Sequence, residues 1–109
     1  MGEYKVKITP QASAQMLEIF SYISGTLKEP IAAERLLDEL QENILSLDTM
    51  PKRVSLVEEE PWRSYGIHKM PVKNFLIYFW INEELKEVHI IAFIYGRRDQ
   101  LEQLKQLDI

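Results

Sequence analysis

Residues 75–81 read FLIYFWI, seven apolar side chains in an unbroken row. A strand points successive side chains to opposite faces, so a strand with one wet face alternates polar and apolar residues. This one does not. The run falls far short of the roughly 20 residues that span a bilayer. It therefore fits a central strand with both faces covered, and the rest of the chain must supply two covering layers.

The flanks fit that reading. Lys73-Asn74 before the run and residues 82–86 after it carry turn chemistry. Residues 62–70 (WRSYGIHKM) and 87–95 (EVHIIAFIY) read as strands on either side, which gives a three-stranded antiparallel meander. Upstream, residues 4–9 alternate, with Tyr4, Val6 and Ile8 on one face and Lys5 and Lys7 on the other. Thr9-Pro10 then starts a helix, since threonine caps free amides and proline suits the first helical position. Met16, Leu17, Ile19, Phe20 and Ile23 recur at helical spacing, and Gly25 reads as the stop. A second helix starts near Pro30 and runs toward Met50-Pro51, with its acids mainly on a solvated side. Residues 99–107, with Leu101, Leu104 and Leu107, read as a short terminal helix. The expected fold class is α+β: an antiparallel sheet packed against an N-terminal helical hairpin, in the order β-α-α-β-β-β with a short C-terminal helix.

At 109 residues and 46% hydrophobic content, residues 1–109 are expected to form one domain with one core. The chain has no cysteine, so neither a disulfide framework nor a thiolate zinc site is available, and a reducing compartment is the natural setting. The amino terminus lacks the apolar core of a secretory signal, so a soluble cytoplasmic protein with no membrane partner is expected. Net charge is −4, which argues against a surface that grips nucleic acid everywhere. The distribution is uneven, however. Residues 29–60 hold nine acids, whereas residues 61–80 hold three basic residues and no acid.

A glycine-rich phosphate loop, HExxH and GxSxG are all missing, and neither a metal nor a cofactor is expected. What remains is basic and aromatic: Arg63, Tyr65, His68, Lys69 and Lys73 on or near one strand, Tyr95 at the end of another, and Arg97 and Arg98 just beyond. Such a set can hold a phosphodiester and stack a base. Tyr78, Phe79 and Trp80 are read as core, His89 as structural, and Asp99 as a partner for an arginine or a cap for the terminal helix.

The order of elements, with YKVKITPQA at the start, AAERLLDEL in the second helix, PVKNFLIYF in the middle strand and IYGRRD at the end, resembles the RelE/ParE superfamily of type II toxin–antitoxin toxins. The resemblance extends from Tyr4 to about Leu104. It implies a toxin held by a cognate antitoxin that folds on binding. RelE-type members cut messenger RNA in the ribosome, and ParE-type members inhibit DNA gyrase. On the first branch, the implied reaction is metal-independent attack of a 2′-hydroxyl on the adjacent phosphate, which needs a base, an acid and cations for the phosphorane. Arg98 aligns with the phosphate-stabilising arginine of RNA-cutting relatives, with Arg97 second. His68 or Lys69 would serve as base or electrostatic support, and Tyr95 as acid or stacking group. Arg63, Lys73, Arg97 and Arg98 would contact RNA or antitoxin. A ribosome-dependent mRNA endonuclease is the leading expectation and a non-enzymatic gyrase inhibitor the alternative. RNA-cutting relatives carry a basic residue where this chain has Phe75, and a terminal tyrosine where it has Leu101 and Leu104.

Overall fold

The computed structural model describes residues 3–95, with only the backbone described at Tyr95. The expected terminal helix, Arg97, Arg98 and Asp99 lie outside the described residues. The elements are β1 (Lys5–Ile8), α1 (Pro10–Ser21), a π-helical turn (Tyr22–Thr26), α2 (Pro30–Leu45), two 3-10 turns (Ser46–Asp48 and Pro51–Arg53), β2 (His68–Val72), β3 (Phe75–Asn82) and β4 (Glu87–Tyr95). They form a four-stranded sheet in the order β1-β4-β3-β2.

The run at 75–81 is internal, as its composition requires, and both its faces are covered. Ile77 and Phe79 face the helices with Leu40, Ile44 and Leu47. Tyr78 lies on the other face under Val57 and Trp62, which come from the loop before β2. The sheet is not purely antiparallel, because β1 pairs parallel to β4. The meander pattern governs only β2 to β4; β1 reaches β4 across the whole helical hairpin, and no local turn dictates its direction.

Two further expectations change. Residues 62–66 form a turn rather than the first half of β2. Gly66 N–H bonds Arg63 O and Ile67 N–H bonds Trp62 O, and Gly66 sits at φ +80, where a side chain is strained. Nor does Gly25 stop the first helix. The helix widens into the π-turn, closed by Leu27 N–H to Tyr22 O at 3.0 Å, and Lys28 at φ 55 makes the left-handed exit. The start of α1 is as read: Thr9 Oγ1 accepts from Ala12 N at 3.2 Å with Pro10 in the first turn. Ala12, wholly buried, lets α1 approach the sheet closely.

A bulge shapes β4. Tyr78 pairs with Ala92 and Phe79 with Ile90, so Ile91 is an extra residue. Ile91 and Ala92 consequently share the face away from the helices, while Ile90 and Phe93 face them. β1 accompanies β4 only as far as Ile90. Past that point the Phe93 N–H would be orphaned, and Gln15 of α1 reaches in, its Oε1 accepting that hydrogen at 2.9 Å. Gln15→Leu removes this acceptor and should cost about 1–3 kcal/mol in urea unfolding, while Gln15→Glu, which keeps an acceptor, should cost less. Equal stability of the leucine variant and the native chain would contradict the role.

Candidate functional site

Adjacent strand residues face opposite ways, and that rule separates two of the expected site residues. His68 pairs with Phe79 and stacks on it, ring centroids 4.9 Å apart and planes within 6°, so it lies on the helix side of the sheet. Lys69 pairs with Tyr78 and points to the other face. They face opposite sides of the sheet, so only one of these alternative candidates can serve any one site.

His68 is also committed structurally. Its Nδ1 lies 2.8 Å from Val54 O. A carbonyl only accepts, so Nδ1 carries the hydrogen and Nε2 is the remaining polar edge. His68 lines an open cleft of about 470 Å³ with Ser55, Leu56 and the Lys52–Glu83 pair. Among the described residues, the remaining candidates are dispersed. Arg63 Nη1 donates to Val57 O at 3.0 Å and so holds the covering loop. Lys73, in the β2–β3 turn, lies 3.5 Å from Glu39 of α2. Tyr95 pairs with Phe75, which is 9% exposed.

Tyr78 is core, as read. Burial, with the Glu59 carboxylate adding to it, pushes its phenol up to about 12, so it stays protonated at neutral pH. Trp80 differs from expectation. It is half-buried, and its indole stacks on His89 with centroids 4.5 Å apart. His89 Nε2 lies 3.1 Å from Glu87 Oε1, and Lys7 Nζ lies 2.7 Å from Glu87 Oε2. The Lys7 hydrogen bond, aided by His89, holds the Glu87 carboxyl below the usual range. This row was hidden in the sequence because Lys7 and Glu87 meet only through the parallel β1–β4 pairing.

A second charged knot ties the β3–β4 turn to distant segments. The Glu83 carboxylate accepts from Lys52 Nζ at 2.9 Å, Lys86 Nζ at 3.1 Å and Tyr4 Oη at 3.0 Å. The Lys52 and Lys86 hydrogen bonds lead in lowering its pKa, from 4.5 to about 2. A depressed folded pKa stabilises the fold above the unfolded value and ceases to do so as pH falls through the folded one. Native stability should therefore fall between pH 4.5 and about 2 more steeply than that of Glu83→Gln in urea titrations. Parallel pH profiles would contradict this. The group is exposed, so added salt should flatten the difference.

Comparison with known proteins agrees with this architecture. Among solved structures, the chain is similar to the chromosomal ParDE toxin–antitoxin system of P. aeruginosa, at 19% identity and TM-score 0.69 over 85% of this chain and 96% of that one. It is also similar to the RelBE2 toxin–antitoxin complex of Mycobacterium tuberculosis, at 18% identity and TM-score 0.64 over 85% and 98%. A mutant of the E. coli toxin RelE in the free state matches at 12% identity and TM-score 0.60 over 94% and 93%. At these identities the likeness is one of fold. No curated protein sequence matches the chain. The family model for the ParE toxin of the type II toxin–antitoxin system parDE matches residues 6–100. The chain belongs to the ParE toxin family.

Proposed function

We propose that this toxin acts by binding its target, DNA gyrase, rather than by cutting RNA, and that a cognate antitoxin neutralises it. The observation that carries this reading is the match of the ParE toxin family model to residues 6–100. Phe75, buried where a basic residue would serve an RNA-cutting site, supports it. A proton transfer requires its base within hydrogen-bond reach, directly or through one water. Among the described residues, two cations expected to contact RNA or antitoxin are engaged within the fold: Arg63 with a backbone carbonyl and Lys73 with Glu39. Binding makes no such demand, because it needs a fixed surface and complementary charge.

A second reading, ribosome-dependent RNA cleavage with Arg98 at the phosphate, draws on the acid-free segment 61–80 and on Lys69 facing away from the helices. Both readings place the chain in the cytoplasm.

The deciding assay is supercoiling by purified gyrase, titrated with toxin. Inhibition that rises with the toxin-to-gyrase ratio and is reversed by antitoxin is the expected result. Undiminished supercoiling in excess toxin would remove gyrase as the target.

A further inference from the structure

The structural bonds of His68 leave one of its nitrogens free. With Nδ1–H given to the Val54 carbonyl at 2.8 Å, the neutral ring keeps a lone pair on Nε2, and stacking on Phe79 fixes the direction in which that pair points. Nε2 has no partner among the described residues. Every buried side-chain nitrogen or oxygen among those residues has a hydrogen bond, so this unpaired atom is open to the cleft that His68 lines.

That cleft, of about 470 Å³, lies within the range of small-molecule sites, roughly 300–1,000 Å³. Val54, Leu56 and Ile81 give it an apolar wall. At Gly66, among the described residues, no atom beyond its neighbours in the chain lies within 4 Å of where a side chain would begin, so that side is open. No group of three metal-ligating side chains gathers among the described residues. Nε2 is therefore an acceptor for a hydrogen-bond donor rather than one arm of a chelate.

Charge at the rim selects the sign of the ligand. Lys52 and Lys86 both bond the Glu83 carboxylate, at 2.9 and 3.1 Å, so two cations meet one anion and the knot is net positive. The Tyr4 hydroxyl also donates to Glu83, which leaves those oxygens little capacity for anything further. Lys52 is different. Its ammonium carries three donors, and Glu83 is its one ion-pair partner among the described residues. The cleft thus offers a cation with donors to spare, an apolar wall and an uncharged acceptor held in a fixed direction.

We propose that this cleft binds a small aromatic acid that carries a hydroxyl group, its ring against Val54, Leu56 and Ile81, its carboxylate at Lys52 and its hydroxyl donating to His68 Nε2. The assignment draws on the cleft alone and holds whichever target the toxin has.

The probe is 4-hydroxybenzoate, titrated into the full chain while amide and imidazole nitrogens are followed by NMR. Saturable shifts at Leu56, Gly66, His68 and Ile81 are expected, with the His68 Nε2 resonance moving as it accepts a hydrogen bond. Benzoate, which lacks the donor, should bind roughly fivefold more weakly, the effect of one hydrogen bond. Lys52→Gln keeps most of the stem and removes the charge. It should weaken 4-hydroxybenzoate several-fold, and more at low salt than at high. The absence of saturable shifts at these four residues overturns the site. Equal affinities of the native chain for the two acids, or of the native and Lys52→Gln chains for 4-hydroxybenzoate, overturn the chemistry assigned to it.

Discussion

The pairing of β3 with β4 is the constraint on which the rest depends. These two internal strands are apolar on both faces, and Ile77, Tyr78, Phe79, Val88 and Ile90 are almost completely withdrawn from water. Burying a side chain of that size contributes about 1.5–3 kcal/mol. Neither strand can stand uncovered. The helical hairpin covers one face and the 56–67 loop covers the other. The flanking strands then differ in kind: β2 follows by a tight turn, while β1 arrives from the far end of the chain and runs parallel.

Such a scaffold determines what its surface can do. Because successive positions along a strand face opposite ways, neighbours in sequence are separated by the thickness of the sheet. His68 is held against Phe79 and Val54 on the helix side, and Lys69 lies above Tyr78 on the other. The charged groups that do converge, Lys7 with Glu87 and His89, and Lys52 with Glu83 and Lys86, satisfy one another. They knit strand ends and turns together. Chemistry at a phosphate asks for cations left free, and recognition of a partner asks for rigid edges and faces.

Much of this was legible from residues. The unbroken 75–81 run gave a doubly covered strand, the limits of β4 fell where its flanking turn predicts, and Thr9-Pro10 began α1. What escaped was non-local. Nothing near residues 5–8 announces a parallel partner some eighty residues away, so the sheet was expected to be wholly antiparallel. The bulge at Ile91 leaves no mark in the string IIAF, and Gln15 looks like any polar helix residue until Phe93 N–H is seen beside it. The aromatic residues in 62–66 favour a strand, and Gly66 is the residue there that most suits the turn. Of the candidate site, the opposition of His68 and Lys69 follows from strand alternation once both lie in β2; the resemblance grouped them by chemistry, and geometry parts them.

The measurement that bears most directly on the central claim is a map of transcript ends by primer extension, on messenger RNA from cells expressing this chain without its antitoxin. Growth arrest with transcripts intact inside their translated codons is the result a binding toxin predicts. Cuts within codons that vanish in Lys69→Ala would contradict it and make the lysine face of the sheet a nuclease site.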